Sequence, residues 1–356
     1  MCRILFIAFS VFILQGVTVA ASCDPPLGEA TSRRFTPTLA MGIPYRRPPL
    51  PVGLSGIAWA GGTRYYAVSD AAVLDEAGLY PLTIELAPDG LSVVSCTLPP
   101  PANRIRLAGA ADLEAVAFDA ANGTVWAADE TGGTVKEFRV SDGAAVRTLP
   151  LPDDLNDVRP NLGIEALALG EDGKALWTCT EEARTRDGPR SSPTNGTLVR
   201  LLKYARPAAR GDFTLAETHL YMTDPWSQAC DYGGQGRRGV SGLCVLPDGS
   251  LLVLERELSF GGSKPWAAAS TARLSFAVYH VEAASGGTRS RASVVKKRKL
   301  VSGGGPVFTF GNYEGICLGP RLPGGQSVLL VSDAGDGVSQ PLILPMVLSS
   351  FNPQKE

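Results

Sequence analysis

Carboxylates are the groups on this chain whose type and spacing could do chemistry. Glu114, Glu165 and Glu314 each stand in a short phrase: an acid, a small residue, then an apolar run (Glu114-Ala115-Val116-Ala117-Phe118, Glu165-Ala166-Leu167-Ala168-Leu169, Glu314-Gly315-Ile316-Cys317-Leu318). Two further copies carry serine in the acid's place, at Ser55-Gly56-Ile57-Ala58-Trp59 and Ser241-Gly242-Leu243-Cys244-Val245. Each phrase is followed by a second apolar run that ends in acid, at Asp70, Glu130, Glu181, Glu255 and Asp333. Carboxylates brought together repel one another unless a cation or a positive side chain compensates. Hard oxygen donors in a flexible ring suit Ca²⁺, which takes about six to eight of them, better than Zn²⁺. The same acids would serve equally to cap loop amides or to pair with Arg159, Arg256 and Arg321, holding the fold together without metal. Arg159 and Arg256 have a second use, because a guanidinium matches the oxygens of a phosphate.

Other chemistries are thinly represented. His219 and His280 are the two histidines, far apart and outside the repeated phrases, and no Arg-His-Gly nucleophile loop is present. The serine-bearing phrases fall one residue short of a Gly-x-Ser-x-Gly elbow. Ser293-Val294-Val295-Lys296 lacks the companion motifs of a Ser-x-x-Lys enzyme. No Walker loop, dinucleotide fingerprint or HExxH occurs, and without a CxxC pair thiolate metal binding is not expected. A formal net charge of −2 gives no pull toward nucleic acid, and the basic run 296–299 reads as a solvated strand.

The elements that would position the acids are strands. Apolar runs of four to six residues rich in Val, Leu, Trp and Tyr are too short for ordinary helices. Asn122-Gly123, Asp172-Gly173 and Asp248-Gly249 separate paired runs, and such dipeptides supply the positive φ of tight hairpin turns. The copies start about 50 to 75 residues apart, near the period of propeller blades once loop insertions are allowed. The expected fold is all-β, a β-propeller of five or six four-stranded antiparallel blades, closed by an N-terminal strand near residues 35–39. Residues 197–221 are the candidate for a degenerate sixth blade. Blade symmetry would bring Glu114, Glu165 and Glu314 to one depth around the axial channel.

The N-terminus reads as an export signal over residues 1–22. Met1-Cys2-Arg3 is the positive region, residues 4–19 are mainly apolar, and Ala20-Ala21-Ser22 offers cleavage before Cys23. A lipid anchor on Cys23 is less favoured, because Ala20 stands where a lipoprotein signal usually carries Leu. The mature domain is then 23–352, with no membrane span. Six cysteines outside the signal permit disulfides, with Cys23, Cys96 and Cys230 the better candidates and Cys179, Cys244 and Cys317 placed mid-strand. Asn122-Gly123-Thr124 and Asn195-Gly196-Thr197 match the glycosylation acceptor.

In order, Asp112-Leu113-Glu114-Ala115-Val116-Ala117, Arg159-Pro160-Asn161-Leu162-Gly163-Ile164-Glu165-Ala166-Leu167-Ala168, Leu251-Leu252-Val253-Leu254-Glu255-Arg256-Glu257 and Asn312-Tyr313-Glu314-Gly315-Ile316-Cys317-Leu318-Gly319-Pro320 with Val331-Ser332-Asp333 resemble the phytase-like domain family, also described by the esterase-like activity of phytase. The resemblance runs from about Gly53 to Asp336 and implies an exported propeller that hydrolyses small phosphoesters. It implies functional roles for Glu114, Glu130, Glu165, Glu181, Glu255, Glu314 and Asp333. Members often place an acid near Ser241-Gly242, where this chain has none. The expected scheme has Ca²⁺ held by the acids, Asp70 included, with Arg159 or Arg256 gripping phosphate. The alternatives are a gluconolactonase-like ester or lactone hydrolase and a non-catalytic, ligand-binding propeller.

Overall fold

The computed structural model describes residues 37–46, 53–69, 78–97, 104–153, 155, 158–159, 162–227, 235–260, 272–282, 294–334 and 341–349. All belong to one compact unit, Thr36–Glu356. Residues 1–22, Cys23, Asp70 and Cys230 lie outside the described residues.

The unit is a five-bladed β-propeller of four-stranded antiparallel sheets, and the described residues contain no α-helix. Strand β1 (Thr38–Met41) opens the chain. Blade one holds β2 (Leu54–Trp59), β3 (Arg64–Ser69), β4 (Gly78–Leu86) and β5 (Val93–Thr97). Blade two holds β6 (Leu113–Asp119), β7 (Thr124–Asp129), β8 (Thr134–Arg139) and β9 (Ala145–Thr148). Blade three holds β10 (Ile164–Leu169), β11 (Ala175–Thr180), β12 (Leu198–Ala205) and β13 (Thr214–Met222). Blade four holds β14 (Gln235–Val245), β15 (Leu251–Phe260), β16 (Arg273–Val281) and β17 (Lys297–Pro306). Blade five is β18 (Asn312–Leu322), β19 (Gly325–Asp333) and β20 (Ile343–Ser349), completed by β1, whose Leu39 pairs with Leu348. Residues 197–221 are therefore not a sixth blade. They supply the third and fourth strands of blade three, which the hairpin β10–β11 needs to cover its outer edge.

Five hydrophobic cores, one between each pair of neighbouring blades, close the ring. On β2, Ile57 packs into the core shared with blade five, and Ala58 into the core shared with blade two. On β18, Ile316 faces blade four and Cys317 faces blade one. Successive residues of an inner strand thus both enter apolar cores, so the repeated phrases are apolar without alternation. Hairpin turns follow the dipeptides, with Gly123, Gly173 and Gly249 at φ of 64°, 67° and 82°.

The small residue of each phrase is dictated by crowding at the axis. A Cβ on Gly242 would stand 2.8 Å from the Glu314 carbonyl oxygen and 2.8 Å from Ile316 Cγ2, and one on Gly56 would stand 2.9 Å from Ala115 Cα. Inner strands of neighbouring blades touch backbone to backbone here, which leaves no room for a Cβ at Gly56 or Gly242. Gly242→Ala is expected to cost about 1–3 kcal/mol, the usual range for overpacking a rigid core. Urea unfolding measures it, and an unchanged midpoint would show that the strands can separate.

Candidate functional site

A one-residue irregularity recurs in the first hairpin of every blade. Pairing skips Ser55, Glu114, Glu165, Ser241 and Glu314, each of which bulges from its inner strand. A bulge leaves the extra residue out of the ladder and re-aims its side chain. The acid-or-serine position is thus a backbone feature, repeated five times about the axis. Ser55, Glu114, Ser241 and Glu314 line one narrow axial hollow of about 10 Å³, room for roughly one water-sized sphere.

The bulges also fix which residues correspond on the second strands. Opposite the bulge stand Ser69, Asp129, Thr180, Glu255 and Ser332, and the next positions are Asp70, Glu130, Glu181, Arg256 and Asp333. Glu255 therefore does not correspond to Glu130 and Glu181; Arg256 does. Glu255 faces another environment, accepting from Tyr221 Oη at 2.7 Å, Asp224 N at 3.1 Å, Arg238 Nε at 2.5 Å and Lys297 Nζ at 2.6 Å. Fully committed to these donors, it is a structural anchor apart from the axial acids. Lys297 and Lys299 both pair with Asp224, so the basic run is part of the same framework.

Arg256 inserts a buried cation into the acid ring. It donates to Glu314 Oε1 of blade five and, at 2.6 Å, to Glu181 Oε1 of blade three, and its Nη2 lies 3.7 Å from Glu165 Oε1. Asn312 donates to Glu314 Oε1 at 2.8 Å and to Asp333 Oδ2 at 3.4 Å. Half of the ring, Glu165, Glu181 and Glu314, is thereby held by one guanidinium. Arg159 is occupied elsewhere: it donates to the carbonyls of Ala183 and Gly188 and fixes the segment after Glu182.

The other half has no such partner. One oxygen from each of Asp112, Glu114 and Glu130 lies within 4.8 Å of the others, and none of the three forms an ion pair with Lys or Arg among the described residues. Glu130 accepts from Gly163 N at 2.6 Å, and Asp112 from Thr131 Oγ1 at 3.1 Å. A Cβ on Gly163 would stand 2.9 Å from Glu130 Cγ, so a larger residue there would displace the Glu130 side chain. Burial holds the Glu114 carboxyl well above the usual carboxylate range, reinforced by the charges of Glu165, Glu314, Asp112 and Glu130. Glu165 is raised for the same first reason, then by Glu181, with Arg256 opposing. Glu130 is raised by burial and by the charges of Asp112 and Glu181, against the lowering effects of its bond from Gly163 and of the Arg237 charge. Ser55 Oγ, on the same hollow, is buried without a hydrogen-bond partner. An orphaned hydroxyl on the hollow that Glu114 also lines, with Asp112 and Glu130 clustered about Glu114, makes a set of oxygen donors that fits a hard divalent cation.

The profile of the phytase-like family, described as esterase-like activity of phytase, matches residues 51–334. The chain belongs to the phytase-like family. No curated protein sequence matches it. Among solved structures, this phytase-like propeller is similar to the PQQ-bound aldose sugar dehydrogenase of Streptomyces coelicolor, at 15% identity and a TM-score of 0.42 over 87% of this chain and 99% of that one. It is also similar to Myxococcus xanthus glutaminyl cyclase, at 11% identity and a TM-score of 0.39 over 89% and 99% of the two chains. A third similar structure is Kuenenia stuttgartiensis hydrazine synthase, at 8% identity and a TM-score of 0.35 over 81% and 79%.

Sequence reasoning passed over Arg237 and Arg238 of this phytase-like chain. Arg237 is half-buried, and its Nη1 lies 3.7 Å from Glu181 Oε2 at the acid end of the axis. Arg238 is buried and joins Glu255 to Glu257. The signal available was an Arg-Arg pair immediately before the apolar phrase of blade four. Of the sites suggested for modification, Asn122 donates to Asp119 Oδ2 of its own turn at 2.8 Å and to the Ala209 carbonyl of the neighbouring blade at 3.2 Å. Cys96, Cys179, Cys244 and Cys317 are free thiols. Among the described residues no helix is long and apolar enough to cross a membrane.

Proposed function

We propose that this chain is an exported phosphoester hydrolase whose site lies at the acid end of the propeller axis, with a divalent cation, best matched by Ca²⁺, held by Asp112, Glu114 and Glu130. The observation that carries this reading is the asymmetry of the acid ring. One half is held by the Arg256 guanidinium, whereas the other presents three close carboxylates without a Lys or Arg ion pair among the described residues and, on the hollow that Glu114 lines, an orphaned serine hydroxyl. A purely structural ring would be expected to be compensated throughout. When bound, the ion would screen the charge of a phosphate and acidify water.

The remaining work falls to the chain's own residues. Arg237, reachable from solvent beside Glu181, is the group suited to phosphate oxygens, in place of the enclosed Arg256 and Arg159. Glu165, whose carboxyl retains its proton further toward neutral pH than an ordinary glutamate, is suited to protonate a leaving alkoxide. Arg256 acts through others, fixing Glu165, Glu181 and Glu314. The axial hollow admits about one small ion, so the substrate has to sit outside it, at the mouth. Export rests on the signal-like residues 1–22.

Assays on p-nitrophenyl phosphate, its bis-ester and inositol phosphates, each with calcium and with chelator, test the proposal. The expected result is calcium-dependent turnover that falls about 10²-fold in Glu114→Gln, with Arg237→Ala raising KM. Turnover indifferent to chelator, or cleavage of lactones and carboxylic esters alone, would overturn it.

A further inference from the structure

The opposite end of the axis is built differently. There the inner strands and first hairpin turns enclose a second cavity of about 470 Å³. Ile57, Val116, Leu167, Leu243 and Ile316, one from each blade, border both this cavity and the acid hollow. These five branched side chains stand between the larger cavity and the acid hollow.

We propose that this pocket binds a small uncharged aromatic molecule, independently of the chemistry at the acid end. Its volume lies in the range of small-molecule sites, about 300–1,000 Å³, which are typically apolar with few polar groups. Trp59 and Phe118, from neighbouring blades, stand on its wall. Both are braced: Trp59 Nε1 donates to the Gly62 carbonyl at 2.9 Å, and Phe118 packs on Tyr66 with ring centroids 5.4 Å apart. The tryptophan's polar atom is thus spent within its own turn. Preformed aromatic walls favour a flat ring partner.

Charge selection follows from the lining. Asp119 is already neutralised by Arg206 at 2.6 Å, with both side chains fully buried. Asp172 caps its own turn by accepting from Lys174 N at 2.9 Å, and Glu171 is exposed at the rim. Among the described residues no lysine or arginine lines the cavity. A ligand carrying either charge would lose its hydration here without gaining a buried partner.

Calorimetric titration of the intact protein with indole, tryptamine and indole-3-acetate tests the proposal, since these share a ring and differ in charge. Indole is expected to bind with a Kd below about 1 mM, and each charged analogue at least about tenfold more weakly. Leu169→Trp, at a partly exposed wall position, should narrow the pocket and change indole affinity severalfold. Trp59→Ala should weaken binding severalfold by removing an aromatic wall, and it keeps the test open if the first variant fails to fold. Absence of indole binding to the wild type, equal binding of all three compounds, or binding unchanged in the folded variants would each overturn the proposal. Calcium or chelator should leave indole binding unchanged, which separates this outcome from that of the acid-end site.

Discussion

Arg256→Met is expected to destabilise the propeller by about 3–5 kcal/mol, the usual cost of removing one partner from a buried ionic group. Arg256 is 8% exposed and comes from blade four, yet it holds Glu181 and Glu165 of blade three and Glu314 of blade five. Without it, three buried carboxylates lose the cation they share, and Arg237 reaches Glu181 at 3.7 Å. Glu165, which Arg256 holds toward its ionised form, would then take up its proton at higher pH than before, so the loss should be larger at pH 8 than at pH 5. Adding Glu181→Gln and Glu314→Gln to the Met variant should recover part of the stability, because it removes the uncompensated charges. Urea unfolding of the three proteins at both pH values is the measurement. If Arg256 instead gripped substrate, its loss would raise KM at unchanged stability, and the double Gln background would rescue nothing.

The architecture was legible because each phrase carries its own reason. Two-sided burial makes the inner strands continuously apolar, and axial crowding forces Gly56, Ala115, Ala166, Gly242 and Gly315 to be small. Tight turns demand Gly123, Gly173 and Gly249. Chain order alone does not reveal a bulge, and that is where the site reading slipped. In blade four the second strand, Leu251–Phe260, continues well past the bulge and carries Glu255, Arg256 and Glu257 in succession. Aligning on the first acid selects Glu255; the observed register selects Arg256. Since adjacent strand residues face opposite sides, that single step exchanges a wall anchor for the cation of the ring. The sixth blade failed for a related reason: Leu198–Ala205 has a strand's composition, but nothing in composition distinguishes a third strand from a first. Arg237 escaped notice because its relevance comes from Glu181 on the preceding blade, a proximity set by ring closure.

Calcium is expected to convert the pH dependence of this protein's stability. Burial and neighbouring carboxylates raise Glu114 and Glu165 in the folded state, whereas unfolded glutamates titrate near about 4.3. Between that value and the folded one, the folded state binds more protons than the unfolded state. Without ion, the contribution of these two groups to stability is therefore greatest at acid pH and declines as pH rises through that window. A bound cation favours the ionised carboxylates and releases their protons, so its stabilisation should grow over the same window. At a hundredfold excess over the dissociation constant it amounts to about 2.7 kcal/mol. Glu114→Gln removes both a ligand and a like charge. That variant should match or exceed the wild type in chelator at pH 8, show a shallower decline with pH, and gain little from calcium. Thermal melts of wild type and Glu114→Gln at pH 5 and pH 8, each with calcium and with chelator, supply the comparison. A wild type whose melting temperature ignores calcium at pH 8, together with a variant less stable than it in chelator, would make Asp112, Glu114 and Glu130 an architectural cluster. Phosphoester chemistry would then have to be sought away from the propeller axis.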